Sequence, residues 1–221
     1  YHVDETSRLG PTMVRIIHRV LPASARMESA RGANEDTLFL PVLFKDVTDW
    51  VYAGHGPESE VARSHFIFSH VCSIIALEVV LAVMRRGEAD GRAGVVVIGF
   101  LNEPLDHLEV LLYRTLQALC AGLHTSAGLA LPEIGEAAYD YIALKRKKVL
   151  QLVTVIPAGG LDRHVAILLG FHRQKKDWGP EGLMCQSHAL LIGLSRGSLR
   201  CHVLTEDLRE FIYTPERGDL K

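Results

Sequence analysis

Leu152-Val153-Thr154-Val155-Ile156 runs directly into Pro157-Ala158-Gly159-Gly160-Leu161-Asp162-Arg163, and a second apolar run, Val165-Ala166-Ile167-Leu168-Leu169, follows at once. Further on come Ala189-Leu190-Leu191-Ile192-Gly193-Leu194-Ser195-Arg196-Gly197 and a third run, Arg200-Cys201-His202-Val203-Leu204. Short apolar runs rich in β-branched residues and bounded by Gly, Pro and Asp read as strands near 149–156, 164–170 and 200–205. The stretch near 186–196 reads as a helix.

Working outward, Val95-Val96-Val97-Ile98 is β-branched throughout, the pattern of a strand covered on both faces. Asn102-Glu103-Pro104 then opens a helix that runs to about Leu123, with proline in its first turn. Near the start, Pro11 precedes Met13, Val14, Ile16, Ile17 and Val20, again a helical spacing. Residues 23–36 read as a loop, and Leu38 to Val47 as a strand or two, broken by Pro41. Gly54-His55-Gly56-Pro57 marks a turn before a long helix between Glu58 and Arg86. Residues 124–146 carry no clear pattern, and a short helix is expected from Glu206. Strands alternating with helices predict an α/β domain, a mostly parallel sheet with helices on both faces. One domain is expected over 1–221, with its core at 3–205 and a C-terminal helix and tail at 206–221.

Composition sets the outer limits. The 221 residues are long enough for a sizeable core, and 48% apolar with 23% charged is ordinary for a globular chain. A net charge of −2 gives no global attraction to nucleic acid or anionic lipid, so such contacts would have to be local. The apolar stretch near 66–84 is interrupted by Ser69, His70, Ser73 and Glu78, which predicts a buried helix and no membrane partner. Cys72, Cys120, Cys185 and Cys201 form no C-x-x-C pair, and His65 and His70 share no helix face well. Reduced core thiols and no bound metal are therefore expected. The start, Tyr1-His2-Val3-Asp4-Glu5, has neither a basic flank nor an apolar run, which argues against a secretory leader. With reduced thiols, that predicts an intracellular location, cytoplasmic or nuclear. The missing initiator methionine suggests a fragment or a processed chain.

The order of these segments resembles the second RecA-like domain of a superfamily 1 helicase, in the branch of the nonsense-mediated-decay helicase. That family reads roughly V-x-x-F-Q-G-R-E-x-D and a hydrophobic run, then R-L-N-V-A-L-[ST]-R-A and a strand. Asp4-Glu5-Thr6-Ser7-Arg8-Leu9-Gly10-Pro11 is similar to its opening L-x-x-x-Y-R-M-x-P, and Leu40 to Val47 to its next strand. Gly94 to Glu103 resembles the strand and loop ending T-P-Y-x-x-Q, with Ile98, Gly99, Phe100 and Glu103 at those positions. The resemblance spans residue 3 to about 205. Arg196 stands at the arginine of A-L-[ST]-R-A, Ser195 at the hydroxyl residue, Gly160 at the glycine of Q-G-R-E and Asp162 at its glutamate. Other polar positions are replaced: Gly159 for Gln, Leu161 for Arg, Ala189 and Leu191 for Arg and Asn, Ser7 for Tyr.

The resemblance implies a three-layer RecA-like fold and an ATP site completed by Arg8 and Arg196, with Gly160, Asp162 and Glu103 on the nucleotide side. A guanidinium fork suits the charge that spreads over a γ-phosphoryl group. No G-x-x-x-x-G-K-[ST] occurs in the chain, so ATP and magnesium are implied only with a preceding RecA-like domain, in cis or in trans. It further implies that Arg196→Ala abolishes turnover and leaves folding intact. The implied partner is single-stranded RNA or DNA, RNA by family likeness.

Plainer readings stand beside these. Arg196 can serve the last-turn carbonyls of its helix, and Arg8 can be a surface arginine. Gly160 and Asp162 can simply make a turn, and Glu103 can complement a helix dipole. Lys145-Arg146-Lys147-Lys148 and Trp178 suit phosphate tracking and base stacking, or else a solvated helix end and loop. Gly193-Leu194-Ser195-Arg196-Gly197 spells the serine-hydrolase G-x-S-x-G, but His202 is the only histidine after it and no acid lies between them. Two functional classes remain: half of an ATP-dependent helicase-like motor, or a non-catalytic interaction module on the same scaffold.

Overall fold

Val95 to Ile98 are fully buried, as their uninterrupted β-branched run predicts. They form β4 (Val95–Gly99), an interior strand of the main sheet. The computed structural model describes residues 5–6, 8–20, 27–43, 59–85, 94–99, 102–128, 149–169 and 189–205. Among these, β1 (Glu5–Thr6) and β2 (Glu28–Ser29) make a small parallel pair. The main sheet holds β3 (Leu38–Leu43), β4, β5 (Leu150–Thr154), β6 (Arg163–Leu169) and β7 (Gly197–Thr205). Its order is β3-β7-β6-β4-β5, and every pairing is parallel.

Side chains alternate across this sheet and divide the core in two. Val95, Val97, Val165, Ile167 and Leu204 pack on one face with α2 (Ser59–Met84) and α3 (Asn102–Ala127). Val96, Ile98, Ala166, Leu168 and Val203 pack on the other with α1 (Pro11–Val20), α4 (Val155–Ala158) and the helical residues 189–194. The result is a three-layer α/β domain of the RecA-like kind, as expected. No helix among the described residues is long and apolar enough to cross a membrane. Among the described residues Cys72 and Cys201 are buried and form no disulfide, and burial pushes their thiols up to about 11 and about 12.

Three boundaries differ from the sequence reading. β5 and β6 follow one another in the chain yet do not pair; each lies beside β4. Parallel strands need a crossover, so Val155 and Ile156 leave the strand for a helical turn that inserts Val155 and Ala158 into the core. β7 begins at Gly197 rather than Arg200, because Arg163 pairs with Gly197. β3 runs unbroken through Pro41. Proline is tolerated there because β3 pairs only with β7 within the described sheet, and alternate N–H groups of an edge strand point away. The expected helix from Glu206 lies outside the described residues.

Glycine is required at the start of α1. Pro11 occupies the first helical position, where its missing N–H costs nothing. Asp36 Oδ1 accepts hydrogen bonds from the backbone N–H groups of Thr12 (3.0 Å) and Thr37 (2.8 Å), and so caps the helix from a distant segment. Gly10 N–H donates to Thr37 Oγ1 at 3.1 Å, and Thr37 Oγ1 donates to the Ser198 carbonyl at 3.1 Å. A Cβ on Gly10 would sit 2.2 Å from Asp36 Oδ1 and 2.4 Å from Thr37 N. Gly10→Ala is therefore expected to cost about 1–3 kcal/mol through overpacking. An unchanged urea midpoint would show that the Asp36–Thr37 segment yields freely.

The α2–β7 interface holds a buried charge cluster. Arg200 and His202 are two residues apart on β7, so both project toward α2. Glu78 of α2 accepts hydrogen bonds from Arg200 Nε (2.9 Å) and Arg200 Nη2, and its Oε1 lies 2.8 Å from His202 Nε2. Burial pushes the Glu78 carboxyl up, but hydrogen bonds from His202 and Arg200, and their charges, outweigh it and hold the carboxyl below its ordinary value. An ionised carboxylate can only accept, so His202 Nε2 carries the proton in this contact.

Candidate functional site

Three segments far apart in sequence meet at the edge of the sheet where β6 and β7 begin. Arg8 precedes α1, Asp162 precedes β6, and Arg196 precedes β7. Arg8 Nε lies 3.3 Å from Asp162 Oδ2, with side-chain exposures of 39% and 25%. Burial lowers the pKa of Arg196; the positive charge of Arg8 lowers it further, and Asp162 acts in the opposite sense. Two like-charged guanidiniums thus act on one another, with the Asp162 carboxylate paired to Arg8. Such an arrangement attracts anions.

Each group is held by identifiable contacts. Arg196 Nη1 donates to the carbonyls of Gly159 (2.8 Å) and Leu161 (3.0 Å). Its Nε donates to the Ile192 carbonyl (3.0 Å) and Ser195 Oγ (3.2 Å), and its Nη2 to Ser195 Oγ (2.7 Å). Arg196 therefore brackets the end of helix 189–194 to the Gly159–Leu161 turn, as its helix-end reading anticipated in part. Arg163 fixes the same turn from the strand side, through Nη1 to the Asp162 carbonyl (2.7 Å) and Nη2 to Gln151 Oε1 (2.7 Å). Among the described residues, Asp162 Oδ1 is buried without a hydrogen-bond partner.

Sequence reasoning missed the support beneath Arg8. Arg31 Nη1 donates to the carbonyls of Arg8 (2.9 Å) and Ser198 (2.8 Å), and Ser29 Oγ donates to the Leu9 carbonyl (2.6 Å). These bonds fasten the backbone of Arg8 to the start of β7, beside Arg196. Arg31 and Ser29 fall in the stretch read as a small, polar loop. The stretch holds two arginines, Arg26 and Arg31, and two serines, Ser24 and Ser29, and nothing in their spacing singles out the pair that bonds.

Gly160 belongs to the turn that Arg196 holds, and the remaining expected site residues do not join it. Gly160 is exposed in the turn, and nothing lies within 4 Å of where its Cβ would be. The space beside that backbone is open. Glu103 starts α3 beyond the far end of β4, so the sheet separates it from the arginines by about 16 Å at roughly 3.3 Å per strand residue. The structure does not bring Glu103 to this site. Lys145, Arg146, Lys147, Lys148 and Trp178 lie outside the described residues.

Ser195 is not a nucleophile elbow. It follows a helix and precedes a strand, the reverse of the strand-to-helix turn that exposes a hydrolase serine. Its hydroxyl donates to the Ile192 carbonyl (3.0 Å) and accepts from Arg196. His202 lies on the opposite face of the sheet, bonded to Glu78. No protein-family model and no curated protein matches the chain, so function rests on this geometry and on motif order.

Proposed function

We propose that this chain is the second RecA-like domain of an ATP-dependent superfamily 1 helicase-like protein. The site edge would face the nucleotide held by a first RecA-like domain. The observation that carries the reading is the convergence of Arg8, Asp162 and Arg196 from three distant segments, in the order the resemblance expects. Two guanidiniums fit a polyphosphate, and the open backbone at Gly160 leaves room beside them. ATP with magnesium would supply the phosphoryl group and part of its charge neutralisation.

The roles of this chain's own residues follow from their contacts. Arg8, on the more exposed side chain of its pair, is the phosphate-facing cation. Arg196, committed largely to backbone carbonyls, is a positioning residue that holds the turn carrying Asp162. Single-stranded RNA or DNA is the proposed track for the whole motor, RNA first, and the cell interior its location.

The test is ATP hydrolysis by this chain together with a first RecA-like domain, comparing wild type with Arg8→Ala. Loss of turnover with folding retained supports the reading, and unchanged turnover overturns it. A second reading, a non-catalytic interaction module, is favoured by one observation: Gly159, Leu161, Ala189 and Leu191 replace polar residues of the resembled motifs. It predicts no nucleotide-dependent activity with any first domain.

A further inference from the structure

We infer that Asp162 is a built-in counter-anion of the arginine pair, so that an incoming phosphate must displace a carboxylate of this chain before it can engage Arg8. The inference rests on the anion-binding reading above and adds a means of regulation to it.

Three observations carry it. Asp162 Oδ2 already sits against Arg8 Nε at 3.3 Å, where an anionic ligand would bind. The same carboxylate acts on Arg196 against the repulsion of Arg8, so one internal charge serves both cations. Third, Asp162 Oδ1 is buried with no hydrogen-bond partner among the described residues. Burying a half-satisfied carboxylate is costly, so its seat beside Arg8 is held by charge rather than by a full set of hydrogen bonds. A ligand that brings several negative charges and more acceptors can outcompete it. Meanwhile the turn that bears Asp162 is fixed independently, by Arg163 on its carbonyl and by Arg196 on those of Gly159 and Leu161. The side chain can yield without the backbone moving.

The physical consequence runs against ordinary site-residue logic. Removing a residue that pairs with a binding cation usually weakens binding, whereas here it should strengthen it. A carboxylate close to a polyanion costs on the order of kcal/mol per charge even at high effective dielectric. About a tenfold gain in affinity is therefore expected when that charge is removed.

The experiment is calorimetric titration of inorganic tripolyphosphate into the full chain at low ionic strength, without magnesium. Wild type, Asp162→Asn, Arg8→Ala and the double variant are compared, each checked for folding by circular dichroism and thermal melting. Asp162→Ser replaces Asp162→Asn if the latter does not fold. The expected result is binding about tenfold tighter in Asp162→Asn than in wild type, with that gain lost when Arg8 is also replaced. Binding by wild type that is unchanged or weaker in Asp162→Asn overturns the inference and leaves the anion site standing. A gain that persists without Arg8 is a general charge effect and also overturns it. No binding by any variant removes both the inference and the anion-binding reading beneath it.

Discussion

With a first RecA-like domain present, Arg8→Ala is expected to lower ATP turnover by about 10³–10⁵-fold, the range for losing an arginine that stabilises a phosphoryl-transfer transition state. Stability should barely change. The Arg8–Asp162 pair is part-exposed, and ion pairs of that kind contribute up to about 1 kcal/mol. Arg196→Ala should behave differently. The resemblance implies a loss of activity with folding intact, but the guanidinium anchors Gly159, Leu161, Ile192 and Ser195 at once. Losing those bonds is expected to cost about 1–3 kcal/mol, with turnover falling as a result. Steady-state phosphate release and urea unfolding on the same proteins separate the two effects. If Arg8→Ala destabilises while turnover holds, Arg8 is structural.

Glu78→Ala is expected to destabilise the fold by about 3–5 kcal/mol, because it strands the Arg200 guanidinium without its counter-charge and leaves His202 Nε2 without its acceptor. Replacing the whole cluster has the opposite prospect. Glu78→Leu, Arg200→Met and His202→Leu together should be near neutral, since well-packed apolar groups avoid the desolvation of three polar ones. Urea midpoints of the single and triple variants decide this. A single-variant loss below about 1 kcal/mol would mean that water screens the cluster. The pH dependence has a definite sign. The folded Glu78 carboxyl lies below its ordinary value, so its contribution is fully present above the unfolded value of about 4.3 and fades as pH falls through the folded one. Glu78→Gln should therefore flatten the acid limb of the stability profile.

Much of the fold was legible because periodicity reports burial directly. Val95 to Ile98 could only be a strand covered on both faces, and Met13, Val14, Ile16 and Ile17 gave one buried helical stripe. The turn at Val155–Ala158 was not legible: β-branched Val155 and Ile156 favour a strand locally, and only the crossover geometry overrides that preference. Pro41 misled for a similar reason, since an edge position is a property of the assembled sheet. At the site, Arg8, Asp162 and Arg196 were found through motif order, but the pairing of Arg8 with Asp162 and the hold of Arg196 on the adjoining turn were not predictable from spacing. Glu78 was visible as an interruption in an apolar helix. A charge there, with Arg200 and His202 on one face of a core strand, was the available sign that the two elements must meet.

The place of β7 in the sheet also fixes when the protein can finish folding. β7 lies between β3 and β6, so β3 has no partner in the described sheet until β7 exists. Leu38 pairs with Arg200 and Leu43 with Thr205, and the single Ser198 carbonyl accepts from both Arg31 and Thr37. During synthesis the ribosome must add about 150 residues after β3 before that strand has emerged, roughly 8–30 s at 5–20 residues per second. Through that interval α1 and β3 are nascent segments with an uncovered apolar face, the kind of surface that chaperones hold. A stop codon anywhere before Arg196 would leave β3 without its strand partner for good, and the arginine pair would never form.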